Sequence, residues 1–381
     1  MGGPHIDPKQ ARTIRSCRIH YFEFVVALKL HDDLLLENAP ITRCNFQVAM
    51  YAAHLASGSS LRCRSIKTET IKRYIFNLAK FLSSFTPRDI RKTNPLDTKF
   101  SLPLQSMYDE SSRWESQKDR REPYTTQMWE YTYSQCDFVK LPDSLHAACC
   151  DWFGCGLFAG FRLPEWAQPA QFENINSTPF PNLHGDPKLF CLQDVEFRGI
   201  GNTRSSLVSA LALPFSQIER VIITFRTQKN GNNGETRLFI LKKKHNNKKL
   251  SFVRCMWNIV HRYVRLQGLI YNKPLCIHRT SSGTTEYITP TKIENVMRTS
   301  AANVYNLDPK KNKAELRLWS SHSLRVGACV ILHAMGHSPT MIQFTLRWRS
   351  MAFMDYLRNL AILSIKQNDA VEAIMELPQF L

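Results

Sequence analysis

A chain of 381 residues is long for one small domain, and its length predicts two domains. It carries 50 lysines and arginines against 32 acidic residues, which gives a net charge of +18. Such an excess of positive charge predicts a polyanionic partner, with nucleic acid first and a membrane surface second. We find no run of about 18 apolar residues, so we expect neither a transmembrane helix nor a membrane partner.

The first 86 residues predict a helical domain that binds nucleic acid. Apolar residues recur at helical spacing in segments 10–31, 42–57 and 65–85, and Ser65 suits the N-cap of the third helix. Basic residues also recur at helical intervals, either as a solvated face or as contacts to phosphate. They are Arg12, Arg15, Arg18, Lys67, Lys72, Arg73 and Lys80. The net charge favours phosphate contact, and we assign it to Lys67, Lys72 and Arg73.

Residues 87–122 are rich in proline, serine and charge, which predicts a linker. The second domain then spans 123–381, with a C-terminal tail from about residue 360. Helices are predicted at 124–136, 144–162, 252–268 and 289–305, and again after residue 320. The fold class predicted for the chain is therefore mainly α, with a helical N-terminal domain and a mixed α/β second domain.

A small antiparallel sheet is predicted within the second domain. In segment 220–241, apolar and polar residues alternate on both sides of an Asn/Gly-rich turn, which is typical of a β-hairpin. Lys229 lies at its tip, where a lysine is usually solvated but can also reach into a groove. Lys242, Lys243 and Lys244 follow in a basic cluster that we predict to contact DNA phosphates.

The 11 cysteines are odd in number and scattered, mostly within apolar segments. This usage predicts reduced thiols in an intracellular protein, nuclear if its source is eukaryotic. Cys149, Cys150 and Cys155, together with His146, suggest zinc by their proximity in sequence. All four lie in one apolar helical stretch and lack the loop-type ligand spacing of zinc sites, so we expect no metal.

Three short motifs contain residues suited to phosphate chemistry. His322 and Arg325 are three residues apart, which places both on one face of a helix. Arg162 ends an apolar helix, and Glu165 is spaced to hold its guanidinium, although an arginine there can also simply snorkel. After Gly336, Ser338 and Pro339 predict a helix restart. A second restart at Ser350 would place Tyr356 in a helix and return Trp348 and Tyr356 toward the His322/Arg325 face.

Taken in chain order, these motifs resemble those of the tyrosine recombinase (phage-integrase-type) family. That family has an arginine in a GLRxxE-like box, a hairpin lysine, an HxxR motif, a GH or W box and a tyrosine near the C-terminus. The matching residues here are Arg162 in GFRLPE, Lys229, His322 with Arg325, Trp348 in LRW, and Tyr356. The sequence of residues 322–358 is most similar to that of Crypton-type recombinases of eukaryotic mobile elements. The resemblance to the family as a whole covers roughly residues 120–360.

The spacing of the motifs agrees with this resemblance in part. Trp348 follows Arg325 by 23 residues, as the family leads us to expect. The sequence MGHS at 335–338 looks like the box of a third histidine, but no tyrosine follows it at the required distance. Tyr356 follows Trp348 by eight residues, one fewer than is usual in the family. Arg347, Arg349 and Arg358, which are nearest to Tyr356 in sequence, are not assigned to the catalytic pair.

The resemblance implies a reaction without metal or ATP in which Tyr356 attacks a phosphodiester of double-stranded DNA. The other roles it implies are phosphate binding by Arg162 and Arg325, a hydrogen bond from Trp348, proton transfer by Lys229 and His322, and orientation of Arg162 by Glu165. It further implies a homo-oligomer, a dimer on one site and a tetramer in the synapse, joined through the tail. The tail could instead pack on its own domain.

Two other functions remain compatible with these residues. One is a catalytically idle DNA-binding protein derived from a recombinase. The other is a type IB topoisomerase or a telomere resolvase, which share the chemistry.

Overall fold

The computed structural model describes residues 8–30, 33–58, 66–86, 88–94, 96–115, 121–177, 179–181, 185–204, 206–228, 233–241, 249–348 and 353–357. The chain divides into two compact units, Met1–Lys118 and Asp119–Leu381. The first is helical, and the second combines helices with two small antiparallel sheets. The predicted fold class, mainly α with a small antiparallel sheet, is confirmed.

The described part of the first unit contains four helices around one apolar core. They are α1 (Pro8–Ala27), α2 (Ile41–Ser57), α3 (Thr68–Leu82) and α4 (Leu102–Trp114). Helix α2 packs against α4, and α1 packs against α3. Tyr21, Tyr51, Ile75 and Tyr108 are fully or almost fully buried in this core, so the apolar stripes that predict the helices also hold them together.

Two local predictions in the first unit differ from the structure. The segment predicted as a linker contains α4, whose Leu104 and Tyr108 are buried in the core. Its proline lies in the first helical turn, where proline is tolerated. A composition that predicts a linker is therefore also compatible with this helix. The predicted N-cap Ser65 lies outside the described residues, and α3 instead follows Lys67, which makes no side-chain capping bond.

The second unit contains ten helices in its described residues. They are α5 (Thr126–Ser134), α6 (Leu145–Ala159), α7 (Leu163–Trp166), α8 (Leu207–Leu211), α9 (Phe252–Gln267), α10 (Pro290–Val304), α11 (Lys313–Leu316), α12 (Ser323–Ala334), α13 (Pro339–Thr345) and α14 (Met354–Leu357). The predicted helices are confirmed at α5, α6, α9, α10 and α12. Helix α6 packs against α5, α9 and α12, which explains why its sequence is apolar on nearly every face.

The second unit also contains five described strands in two sheets. They are β1 (Val195–Gly199), β2 (Ile218–Phe225), β3 (Glu235–Ile240), β4 (Ile277–Arg279) and β5 (Thr285–Tyr287). The predicted hairpin is confirmed, because β2 and β3 pair antiparallel, with Arg220 opposite Ile240 and Phe225 opposite Glu235. Strand β1 pairs with the other edge of β2, and β4 pairs with β5. These three strands were not predicted, because three to five residues are too few to show a clear alternation.

Two further features of the described residues bear on the sequence predictions. None of the helices in the described part of the chain is long and apolar enough to cross a membrane. Cys149, Cys150 and Cys155 are buried thiols of α6. Within the described ranges, no group of three or more His, Cys, Asp or Glu side chains is arranged to hold a metal ion.

Candidate functional site

Arg162 and Glu165 meet at the junction between α6 and α7. The backbone N–H of Arg162 donates to Oε2 of Glu165 at 2.9 Å, and its Nη1 lies 3.3 Å from Oε1. The Glu165 side chain is buried, whereas the side chain of Arg162 keeps 17% of its surface exposed. The pairing inferred from their spacing is therefore present, with the guanidinium at the edge of the protein interior.

Gly160 ends α6 and permits a close approach at this junction. Its φ of +56° is unfavourable for residues other than glycine. A Cβ at this position would lie 2.7 Å from Cδ2 of Leu346, so the site tolerates no side chain without displacement. Glycine thus allows the segment around Leu346 to pack directly on the end of α6.

The start of α12 brings His322 and Arg325 to the junction between α6 and α7. Gly327 allows this, because a Cβ there would lie 2.1 Å from the carbonyl oxygen of Tyr124. Arg325 is only 3% exposed. Its Nη1 donates to the carbonyl oxygen of Gly160 at 2.6 Å, and its Nη2 donates to the carbonyl oxygen of Leu346. The guanidinium is therefore fixed by two backbone acceptors from distant parts of the chain.

The turn after α13 adds Trp348. Ser338 caps α13 by accepting from the N–H of Met341 at 3.2 Å, which confirms the predicted helix restart. The ring of Trp348 lies 4.5 Å from Cζ of Arg325, in cation–π contact, and 6.3 Å from the ring of His322. The structure thus brings Trp348 to His322 and Arg325, as the return of the chain predicts.

Arg347 is part of this site, and sequence reasoning missed it. It is 6% exposed, and its two terminal nitrogens lie 3.0 and 3.1 Å from the two carboxylate oxygens of Glu165. Its carbonyl oxygen accepts from Nη2 of Arg162 at 2.7 Å. No periodicity or spacing marks this arginine, because its burial arises from a contact across 182 residues of sequence.

The site contains more positive than negative charge. Glu165 is shared by the guanidiniums of Arg162 and Arg347, and Arg325 has no carboxylate partner within the described residues. Burial, together with the positive charges of Arg162 and Arg347, lowers the pKa of Arg325 to about 9. A buried cation without a counterion favours the binding of an anion, so the arrangement suits a phosphate group.

His322 differs from the arginines of the site in its charge. Burial, together with the positive charges of Arg325 and Arg121, lowers the pKa of His322 to about 4. The imidazole is therefore neutral at pH 7.

The remaining predicted site residues are described only in part. Tyr356 belongs to α14, whose Leu357 is buried in one apolar cluster with the preceding Phe353 and with Leu346. The side chain of Tyr356 lies outside the described residues. The same is true of four lysines: Lys229, Lys242, Lys243 and Lys244.

The three basic residues predicted on α3 differ in their environment. Lys67 and Arg73 are exposed. Lys72 lies 3.3 Å from a carboxylate oxygen of Glu69 and 5.5 Å from the ring centre of Tyr108.

Comparison with known proteins gives similarities at low identity. No protein-family model matches the chain, and no curated protein matches it. Among solved structures, it is similar to the integrase of transposon Tn1549 in complex with transposon right end DNA, with 13% identity and a TM-score of 0.45 over 94% of this chain and 99% of that one.

Two recombinases are also similar at low identity. XerH site-specific recombinase, bound to a palindromic difH substrate, has 13% identity and a TM-score of 0.43 over 89% of this chain and 72% of its own. XerA recombinase has 12% identity and a TM-score of 0.35 over 94% and 98%. A functional assignment therefore depends on the residues of the site itself.

Proposed function

We propose that this chain cleaves and rejoins DNA strands through a covalent bond between Tyr356 and a 3′ phosphate, as tyrosine recombinases do. The observation that most directly supports this proposal is that backbone carbonyls fix both Arg162 and Arg325. The site around them contains more guanidinium than carboxylate charge. The resemblance of residues 322–358 to Crypton-type sequences further suggests that group of mobile-element recombinases.

The arginine pair provides the binding of the scissile phosphate. Each guanidinium has five N–H donors, and the bonds of Arg325 to Gly160 and Leu346 engage only two nitrogens. The remaining donors of Arg162 and Arg325 bind the non-bridging oxygens in the paired geometry that lysine lacks. Trp348 adds a hydrogen bond from its indole N–H. These donors stabilise the charge that develops in the transition state.

The proton transfers follow from the balance of the reaction. The Tyr356 oxygen forms a bond to phosphorus and loses its proton, while the bond from phosphorus to the 5′ oxygen breaks and that oxygen gains a proton. Neutral His322 accepts the tyrosine proton, and Lys229 supplies the proton to the 5′ oxygen. Rejoining is the reverse reaction. The phosphotyrosyl bond retains the energy of the broken bond, so the reaction needs neither metal nor ATP.

The partner that we propose is double-stranded DNA. The exposed basic residues of α1 and α3 neutralise phosphates, and they include Arg15, Arg18 and Arg73. We also propose a dimer on one DNA site and a tetramer in the synapse, joined through the tail. The tail itself lies outside the described residues. A nuclear location follows if the source is eukaryotic.

A nicked duplex that releases its 5′ fragment after cleavage tests the proposal. Incubation with the wild-type chain should leave a covalent protein–DNA adduct, visible as a band of reduced mobility in a denaturing gel. Tyr356→Phe should abolish the adduct, and Tyr271→Phe, at a partly exposed tyrosine, should retain it. An adduct that persists in Tyr356→Phe, or none with wild type, contradicts the proposal. Strand exchange between two labelled duplexes then separates a recombinase from a topoisomerase.

A further inference from the structure

We propose that Arg347 is a positioning residue, which holds the carboxylate of Glu165 so that the guanidinium of Arg162 stays available to the phosphate. This role rests on the proposed function and adds a residue to its site. It is deduced from the contacts of Arg347, its burial and the conformation of its backbone.

The first observation is how Glu165 divides its contacts between two arginines. Both terminal nitrogens of Arg347 face both carboxylate oxygens, at 3.0 and 3.1 Å, in the bidentate geometry that is strongest for this pair. The guanidinium of Arg162 approaches the same carboxylate through Nη1 alone, at 3.3 Å. Arg347 is therefore the principal partner of Glu165, and Arg162 is only partly neutralised.

The second observation is that the Arg347 side chain is itself held in place. Its Cζ lies 3.6 Å from the ring centre of Phe225, at the end of β2. Its Nη1 lies 3.4 Å from Oε1 of Gln228. The Nε2 of Gln228 in turn donates to Glu235, at the start of β3, at 2.9 Å. The β2–β3 hairpin thus fixes Arg347, and Arg347 fixes Glu165.

The third observation is the backbone of Arg347. Its φ is +56°, a conformation that disfavours residues other than glycine. Backbone preference alone would therefore select glycine at this position. An arginine that is buried at a strained position is best explained by what its side chain does, and strain of this kind is frequent at functional sites.

Removal of the Arg347 side chain should therefore change the partner of Arg162. Arg347→Gly keeps the backbone conformation and the carbonyl that accepts from Arg162, and it deletes the side chain with its guanidinium. The buried carboxylate of Glu165 then has Arg162 as its nearest cation, so the two should form the bidentate pair. That pairing withdraws Arg162 from the phosphate. Glu165→Gln in the same background removes the attraction and should release Arg162 again.

The experiment compares wild type, Arg347→Gly, Glu165→Gln and the double variant by the single-turnover rate of adduct formation on the nicked duplex. Arg347→Gly should be slower by about 100-fold, the effect of one lost transition-state donor. The double variant should recover at least about tenfold of this loss. A double variant that is as slow as Arg347→Gly, or slower, overturns the proposal.

A matched control separates positioning from general stability. Arg262 and Asp151 form another buried pair in the same unit, with side chains 2% and 4% exposed. Arg262→Met should lower the melting temperature without changing the adduct rate of the folded fraction. Arg347→Gly should instead slow adduct formation by the folded fraction itself, a loss that a change in melting temperature does not explain.

A second readout does not depend on DNA cleavage. The Nε–Hε resonances of the arginines, observed by ¹⁵N NMR, can be titrated with inorganic phosphate. The signal of Arg162 should respond in wild type and in the double variant, and at least tenfold more weakly in Arg347→Gly. Absence of an adduct with wild type would refute the proposed function alone. An Arg162 signal with the same response in wild type and Arg347→Gly, or with none in wild type, would refute the positioning role.

Discussion

The carbonyl oxygen of Gly160 accepts a hydrogen bond of 2.6 Å from the guanidinium of Arg325, across 165 residues of sequence. The bond joins the end of α6 to the first turn of α12. It forms because Gly160 takes a φ of +56° and leaves room for Leu346, whose own carbonyl binds the same guanidinium. The left-handed backbone of Gly160 thus sets the position of Arg325, which we predict to bind phosphate.

Gly160→Ala should therefore affect both folding and reaction. The left-handed backbone disfavours alanine by about 1 kcal/mol, and the new Cβ would lie 2.7 Å from Cδ2 of Leu346. Such overpacking typically costs a further 1–3 kcal/mol, roughly. We expect the free energy of unfolding to fall by about 2–4 kcal/mol in urea denaturation, and the adduct rate of the folded protein to fall as Arg325 shifts.

Gly336→Ala is the control for this substitution. Gly336 has a φ of +80°, and its Cβ would meet no atom within 4 Å. It should show the backbone cost of about 1 kcal/mol alone. Equal losses at the two positions would show that the contact with Leu346 is unimportant.

Arg325 and Arg262 should respond differently to replacement by methionine. Arg262 pairs with the buried Asp151, so Arg262→Met leaves an uncompensated carboxylate and should cost about 3–5 kcal/mol of unfolding free energy. Arg325 has no carboxylate partner within the described residues. Arg325→Met relieves a buried charge while it frees two carbonyls, so its loss should be clearly smaller, although the adduct rate should fall by at least about 100-fold.

Urea denaturation of both variants measures the difference. A loss of stability at Arg325 as large as that at Arg262 would contradict the charge imbalance on which the phosphate site depends.

The chemistry-bearing residues of the site could largely be predicted from the sequence. Arg162, Glu165, His322, Arg325 and Trp348 are polar or aromatic residues in short motifs, and the structure brings all five together. Residue type and local spacing mark them as candidates, and the resemblance of their order to the motifs of a known family groups them into one site. Local spacing also predicts the helix restart at Ser338, because capping depends on neighbours a few residues away.

The features that could not be predicted depend on tertiary structure. Nothing in the sequence distinguishes Arg347 from a surface arginine. Its role follows only from its positive φ and its contact with Glu165. Helix α4 is concealed by proline, serine and charge, because only Leu104 and Tyr108 commit it to the core. The short strands β4 and β5 form a hairpin closed by the turn between Thr280 and Thr284, but three residues in each strand are too few to show an alternation.

His322 should make stability depend on pH in the acidic range. Its folded pKa is lowered to about 4 from the ordinary value of 6.5, by burial first and then by Arg325 and Arg121. Between these two values the unfolded chain binds a proton that the folded chain does not bind. The unfolding free energy should therefore fall as the pH drops from about 6.5 to about 4, by at most about 3 kcal/mol, with no contribution above pH 6.5.

Chemical denaturation at a series of pH values measures this dependence. His322→Asn should reduce the acidic slope, and the part that remains should reflect His261 and His278, whose pKa values burial also lowers. A wild-type slope in His322→Asn would show that the folded protein does not lower the pKa of this histidine.

DNA affinity should fall steeply with salt, and Arg73 and Lys72 should contribute unequally. Each phosphate contact to duplex DNA contributes about −0.9 to the slope of log affinity against log salt concentration. Arg73 is exposed, so Arg73→Gln should reduce the magnitude of the slope by about this amount. The charge of Lys72 is partly balanced by Glu69 at 3.3 Å, so Lys72→Gln should have a smaller effect. Fluorescence anisotropy with a labelled duplex measures both slopes, and an affinity unchanged between low and moderate salt would exclude phosphate contact by α3.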